Sequence, residues 1–339
     1  MVVVMQPDAE AQHIDAVEAR LREGGFVVHR SSGVAYTILG AIGDEHAVDL
    51  TRLEAMPGVR EVVEVDEPYK LASCAFHPDG TVIHLDGTAI GDGGLTIMAG
   101  PCSVEHPERT HEIARHVAEQ GGTILRGGAF KPRTSPHSFQ GLGEAGLKVL
   151  REAADAHGLH VVTEAMCPSQ VELVAQYADI VQIGARNMQN YQLLHEAGRL
   201  DVPVLLKRGL SAKVDEWLLA AEYVMSGGNR NVILCERGVR TFNDHTRFTL
   251  DVGAIAVAKQ RSHLPVIVDP SHAAGHRDLV APLALAGVAA GADGVMVEIH
   301  TEPSRAWSDG PQALTPPMWV RLANHLMAGS DAPMAMEVA

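Results

Sequence analysis

Residues 203–237, PVLLKRGLSAKVDEWLLAAEYVMSGGNRNVILCER, decide the fold. An apolar run ends at Lys207 and Arg208. A segment with helical spacing follows, EWLLAAEYVMSG, and then a second apolar run ends at Glu236 and Arg237. Near-continuous apolar runs mark parallel strands covered on both faces, and the intervening helix supplies the cover. The rhythm holds from Leu95 onward: LTIMAG (95–100), TILRG (123–127), HVVTEA (160–165), DIVQIGA (179–185), PVLLKR (203–208), NVILCER (231–237), PVIVDPS (265–271) and GVMVEIH (294–300). Each run is followed by a helical segment. Eight such units over residues 95–328 predict an α/β fold, a (β/α)8 TIM barrel. The alternative is an open doubly wound sheet; the count of eight and the lack of a GxGxxG after the first strand favour the barrel.

Residues 1–68 read as a separate small α+β domain. MVVVM, FVVHR, VAYTILGAIG and VREVVEVD are strands, with helices expected over residues 8–23 and 46–55 and a turn at Ser31-Ser32-Gly33. The order β-α-β-β-α-β is ferredoxin-like. Residues 69–94 read as a linker holding a short hairpin, TVIHLDG, expected to plug the bottom of the barrel. The tail, residues 329–339, has no basic residue and no periodicity and is expected to fray.

The chain has 339 residues, enough for a barrel of roughly 250 residues and a module of roughly 70. Hydrophobic content is 46% and charged content 20%, ordinary for a globular protein. A formal net charge of −15 argues against nucleic-acid partners and anionic membrane surfaces. Residues 1–70 carry 6 basic and 13 acidic side chains, so the front module holds about half of that excess. The longest apolar stretch, residues 280–292, is too short for a bilayer span. The start has no basic region of the signal-peptide kind, and the four cysteines form no CxxC pair; both point to a cytoplasmic location and free thiols.

Against this acidic background, Arg126, Lys131, Arg133, Arg186, Lys207, Arg208 and Arg237 all fall where strands run out. Active sites of such barrels lie at the C-terminal strand ends. Cations aimed into one mouth repel each other unless an anion joins them, so Lys131, Arg186, Lys207 and Arg237 predict a phosphate or carboxylate site. Arg133-Thr134-Ser135 suggests a second one. Cys102, His272, Glu298 and Asp309 lie at or just past the ends of the first, seventh and eighth strands, which closure brings together. One thiolate, one imidazole and two carboxylates suit Mn²⁺, Fe²⁺, Co²⁺ or Zn²⁺ better than Mg²⁺ or Ca²⁺.

AGPCSVE, LRGGAFKPRTSPHSFQGLG, TEAM, QIGARNMQN, LLKRG, LCERGVRTF, VDPSHAAGHRDLV and VEIHTEPSRAWSDGPQAL together resemble 3-deoxy-D-arabino-heptulosonate 7-phosphate (DAHP) synthases of type I beta. The likeness covers nearly the whole chain, including the ferredoxin-like regulatory domain that some members carry. It implies a transferase that condenses phosphoenolpyruvate with erythrose 4-phosphate at the head of the shikimate pathway, which feeds aromatic amino acid biosynthesis. It implies one divalent metal ion per subunit on Cys102, His272, Glu298 and Asp309. Phosphoenolpyruvate would be held by Arg126, Lys131, Ala185, Arg186, Lys207 and Arg237. Erythrose 4-phosphate would be held by Arg133, Thr134, Ser135 and Asp269. Beyond the resemblance, Glu164 and Lys131 are our candidates for proton handling near C2 and the new hydroxyl, and with Cys102 and His272 they make up the expected catalytic set. His29 and Ser31 match positions expected to touch an aromatic amino acid effector, commonly tyrosine, and the family suggests a homotetramer. Rival readings are a 3-deoxy-octulosonate 8-phosphate synthase using arabinose 5-phosphate, and a non-catalytic metabolite sensor. The KPRTS segment and the front module speak against the first, and the intact ligand set against the second.

Overall fold

The computed structural model describes residues 1–32, 36–43, 48–63 and 67–328. The expected tail lies outside the described residues, as does the start of the helix expected at 46–55. The chain divides into two compact units, Met1–Thr81 with Gln260–His263, and Val82–Lys259 with Leu264 onward. The stretch expected as one linker, 69–94, is therefore split between them.

The first unit contains β1 (Val2–Met5), α1 (Ala11–Glu23), β2 (Val27–Ser32), β3 (Thr37–Ile42), α2 (Leu50–Glu54) and β4 (Val59–Val63). Its strands form an antiparallel sheet in the order β2-β3-β1-β4, the ferredoxin-like arrangement. Alternation explains the packing: Met1, Val3 and Met5 point to one face, where they meet Ile14, Val17 and Leu21 of α1 and Leu53 of α2. Asp49 caps α2, accepting a hydrogen bond from the Thr51 amide at 3.1 Å. The expected turn is corrected in part: Ser31 and Ser32 do not turn but extend β2, pairing with Ile38 and Thr37, while Gly33 lies outside the described residues. Alternating strand residues continue through Arg30 and Ser31, and ladder hydrogen bonds outweigh serine's turn preference.

The second unit opens with a hairpin, β5 (Ile83–Leu85) and β6 (Thr88–Ile90). Its barrel strands are β7 (Thr96–Gly100), β8 (Ile124–Arg126), β9 (His160–Ala165), β10 (Ile180–Ile183), β11 (Val204–Lys207), β12 (Val232–Glu236), β13 (Val266–Val268) and β14 (Gly294–Glu298). All pair in parallel, and β14 against β7 closes the ring. The helices are α3 (Pro107–Glu119), α4 (Glu144–Ala156), α5 (Val171–Ala175), α6 (Tyr191–Ala197), α7 (Val214–Ser226), α8 (Val252–Arg261), α9 (Pro270–Ala274), α10 (Val280–Ala289) and α11 (Pro316–Ala328). On α7, Trp217, Leu218, Ala221, Val224 and Met225 form one buried stripe at helical spacing, and Trp217 donates its indole N–H to the Leu206 carbonyl at 3.1 Å.

Period-two geometry sets the barrel interior. Met98, Ile124, Val162, Ile180, Leu205, Ile233, Ile267 and Met296, one from each strand, form a buried cluster that Cys235 of β12 also joins. Ile83 and Ile90 of the hairpin join it, so the hairpin closes the N-terminal end of the barrel. Burying each isoleucine contributes about 1.5–3 kcal/mol. Two residues further along the strands come Gly100, Arg126, Glu164, Gln182, Lys207, Cys235, Asp269 and Glu298. The same parity turns them inward, so an apolar floor gives way to a polar layer near the C-terminal ends.

Candidate active site

Above the polar layer lies a cavity of about 230 Å³. Seven cations line it: Arg126, Lys131, Arg133, Arg186, Lys207, Arg237 and Arg247. Among the described residues only two carboxylates, Glu164 and Asp309, share that lining. Ala185, Thr134, Ser135 and His272 line it as well.

The cations differ in their partners. Arg126 donates to Glu298 Oε1 at 3.1 Å and to the Pro101 carbonyl at 2.7 Å. Lys207 is paired with Asp269. Arg237, only 5% exposed, has no carboxylate within salt-bridge reach among the described residues. It stacks over the Phe248 ring at 4.3 Å, and burial pushes its guanidinium pKa down to about 10. Burying an unpaired charge costs several kcal/mol, so the site is built for an incoming anion. The Nε of Arg126 and Oε1 of Glu164 are also buried without a hydrogen-bond partner among the described residues.

Glu164 stands at the end of β9 beside Gln182, which donates to its Oε2 at 3.2 Å. Burial raises its pKa despite the opposing influence of Lys131, Lys207 and Arg126. Gly184 makes room for it: a Cβ there would lie 2.1 Å from Glu164 Oε1.

The second cluster is Cys102, His272, Glu298 and Asp309, whose donor atoms all lie within 4.8 Å of one another. The loop bearing Cys102 is zipped to the loop after β8: Gly128 N–H donates to the Cys102 carbonyl at 3.1 Å, and Val104 N–H to the Gly128 carbonyl at 3.0 Å. Lys131 Nζ donates to the same Cys102 carbonyl at 2.9 Å and to Sγ at 3.1 Å. His272 sits on the short helix α9, whose first residue is Pro270 and whose cap is Asp269. Asp269 accepts from the His272 backbone N–H at 3.1 Å and from Nδ1 at 2.8 Å. That fixes the tautomer and leaves Nε2 facing Glu298 Oε1 at 3.4 Å. Burial lowers the His272 pKa, favouring the neutral, ligating form. Asp309 and Glu298 have lowered pKa values despite burial, with His272 the chief opposing influence in each. The Cys102 thiol is pushed up to about 12, first by burial and then by Glu298. A thiol, a neutral imidazole and two carboxylates around one point fit a borderline divalent cation, whose charge would draw the thiol proton off.

Two positions differ from the sequence reading. Arg208 does not enter the cavity. It follows the inward Lys207 by one residue, so it faces outward, where it pairs with Glu236 and Asp251, both at 2.9 Å. Asp269, expected to hold the sugar phosphate, does not line the cavity either. It is 1% exposed and engaged by Lys207 and His272. Two residues went unnoticed. Arg247 lines the cavity from the middle of a long loop, and Gln312 lies buried behind the carboxylates. Neither occupies a strand end, and no spacing signals them. His29 lies in β2 opposite Gly40. Among the described residues no helix is long and apolar enough to cross a membrane.

A closed barrel with a cation-lined cavity beside a four-donor cluster defines an enzyme that works on anionic substrates. The chain belongs to the DAHP synthetase I family, which it matches over residues 76–331, and residues 1–67 match the DAHP synthase ferredoxin-like domain. It is similar to the phospho-2-dehydro-3-deoxyheptonate aldolase of Thermotoga maritima, with 49% identity over 98% of both chains. The crystal structure of that DAHP synthase aligns with a TM-score of 0.77 over 97% of each chain. A truncated form of the Thermotoga maritima enzyme is 51% identical and aligns with a TM-score of 0.73 over 77% of this chain and 96% of its own. More distant is the 2-dehydro-3-deoxyphosphooctonate aldolase of Syntrophotalea carbinolica, 34% identical over 68% of this chain and 88% of its own. The protein is thus an enzyme whose activity is that of the family, DAHP synthesis in the shikimate pathway, and the sensor reading falls away.

Proposed function

We propose that the protein condenses phosphoenolpyruvate with erythrose 4-phosphate, releasing DAHP and inorganic phosphate. The single observation that carries this reading is Arg237, a buried guanidinium with no carboxylate in ion-pair reach among the described residues, set among further cations. Lys131, Arg186, Lys207 and Arg237 hold the phosphate and carboxylate of phosphoenolpyruvate, with Arg126 and Ala185 at the same wall. Arg133, Thr134 and Ser135 take the sugar phosphate. C3 of phosphoenolpyruvate attacks the aldehyde carbon, water adds at C2, and the resulting hemiketal phosphate expels phosphate by C–O cleavage. Glu164, with a raised pKa and a free oxygen, handles a proton near C2; Lys131 handles one at the new hydroxyl. Cys102, His272, Glu298 and Asp309 hold one divalent ion per subunit, Mn²⁺, Fe²⁺, Co²⁺ or Zn²⁺. When bound, that ion polarises the aldehyde oxygen as a Lewis acid. An aromatic amino acid, tyrosine above all, acts as an effector at His29 and Ser31, and the enzyme works as a homotetramer.

Phosphate release from phosphoenolpyruvate, followed with erythrose 4-phosphate and separately with arabinose 5-phosphate, tests the substrate assignment. The chelated protein should regain turnover with Mn²⁺ and the four-carbon sugar. Preference for arabinose 5-phosphate would defeat it. Loss of tyrosine inhibition in a full-length His29→Ala variant tests the effector site, and unchanged inhibition would remove His29 from it.

A further inference from the structure

Each carboxylate of the four-donor cluster has one oxygen facing its fellow donors and one facing away, and the outward oxygens meet two further side chains. Asp309 Oδ2 faces Cys102 Sγ at 3.2 Å, while its Oδ1 accepts from Arg247 at 3.2 Å. Glu298 Oε1 faces His272 Nε2 at 3.4 Å and Arg126 at 3.1 Å, while its Oε2 accepts from Gln312 Nε2 at 2.7 Å. Arg247 and Gln312 are themselves joined: the same Arg247 nitrogen donates to Gln312 Oε1 at 2.9 Å. The chain Asp309–Arg247–Gln312–Glu298 is therefore a continuous brace behind the cluster.

The backbone adds an independent sign that this corner is held. Asp309 has φ 48°, and it alone among the described non-glycine residues has a positive φ. A strained residue persists only where its surroundings over-determine it. Gln312 is 2% exposed, and its amide has both ends engaged, which leaves one orientation.

We propose that Arg247 and Gln312 are positioning residues that make both carboxylates offer a single oxygen to the metal. The proposal rests on the reading that Cys102, His272, Glu298 and Asp309 hold a metal. Occupying the outer oxygens disfavours two-oxygen binding by either carboxylate. One oxygen from each, with the thiolate and the imidazole, gives a low-coordinate site selective for transition ions over Ca²⁺, which takes 6–8 oxygens. Partners behind metal ligands typically set affinity by 10–100-fold.

The test uses the full chain stripped with a chelator and titrated with Co²⁺, whose thiolate charge-transfer and d–d bands report sulfur ligation and coordination number. Gln312→Met and Arg247→Met should each bind Co²⁺ about 10–100-fold more weakly against a competing chelator. Their d–d bands should weaken toward those of a higher-coordinate ion while the charge-transfer band persists. The double variant should be little worse than either single one, because both break the same chain. Arg247→Lys, which keeps a donor toward Asp309, should recover part of the affinity. Arg247 is partly exposed, so its variants test the brace even if the buried Gln312→Met fails to fold. Wild-type affinity and spectrum in the folded variants would overturn the brace alone. Absence of a charge-transfer band in the unaltered protein would instead overturn the metal site beneath it.

Discussion

The ammonium of Lys131 lies 3.1 Å from Cys102 Sγ, and His272 and Asp309 line the cavity too, so the cation-lined cavity and the four-donor cluster are contiguous. Lys131 opposes the burial that raises the thiol pKa. Lys131→Met should therefore weaken both anion and metal binding. Arg186→Met, which removes an exposed cavity cation, should weaken phosphoenolpyruvate binding alone. Metal titration of the two variants should differ by about tenfold. Equal metal affinity in both would mean that Lys131 does not act on the metal ligands.

Metal uptake should release a proton. With its pKa pushed up to about 12, the Cys102 thiol is protonated throughout the neutral range, whereas the metal needs the thiolate. His272, lowered by burial, is neutral there and gives none up. Affinity should accordingly rise about tenfold per pH unit between roughly pH 7 and 9. Calorimetry in two buffers of different ionisation heat should show about one proton released in the wild type. In Cys102→Ser, affinity and activity should fall together. A pH-independent affinity would mean that the thiol stays protonated or stays out of the site.

The barrel and the strand-end residues were legible in the sequence for one reason. Parallel strands covered on both faces leave unbroken apolar runs, and their last inward positions must face the mouth. Arg126, Lys207 and Glu298 were found that way. The same reading grouped Arg208 with Lys207 as strand-end cations, because adjacency in sequence hides the two-residue alternation that sends Lys207 inward and Arg208 outward to Glu236 and Asp251. Parity within the VLLKR and VILCER runs carried that signal. Asp269 ends a strand like the others, yet lies beneath the cavity because α9 starts at the next residue and turns His272 back over it. Arg247 and Gln312 gave no signal. Their positions depend on how long loops fold back, and loops have no periodicity to read.

Glu164 offers a test of the proton step. Glu164→Gln preserves shape and the Gln182 contact but cannot release a proton. We expect kcat to fall by about 10²–10⁴-fold with little change in phosphoenolpyruvate affinity. Gly184→Ala should show a similar fall with the carboxylate still present, since the added Cβ would lie 2.1 Å from Oε1 and displace it. Near-normal kcat in Glu164→Gln would assign the proton to another group.

Arg237 gives the sharpest contrast between stability and binding. Its buried charge is offset by the Phe248 ring, a 3.5 Å contact to the Gly238 carbonyl and the more distant Asp269 carboxylate, but among the described residues by no direct ion pair. In anion-free protein, Arg237→Met should leave the melting temperature unchanged or raise it, because the variant no longer buries an unpaired cation. Saturating phosphoenolpyruvate should then separate the two proteins. At a ligand concentration of 100 times its Kd, the wild type gains about 2.7 kcal/mol. The variant should gain almost nothing at the same concentration, having lost the group that the anion neutralises. Thermal unfolding with and without phosphoenolpyruvate reads both effects in one experiment. If the variant were stabilised by the ligand as much as the wild type, Arg237 would not face the bound anion.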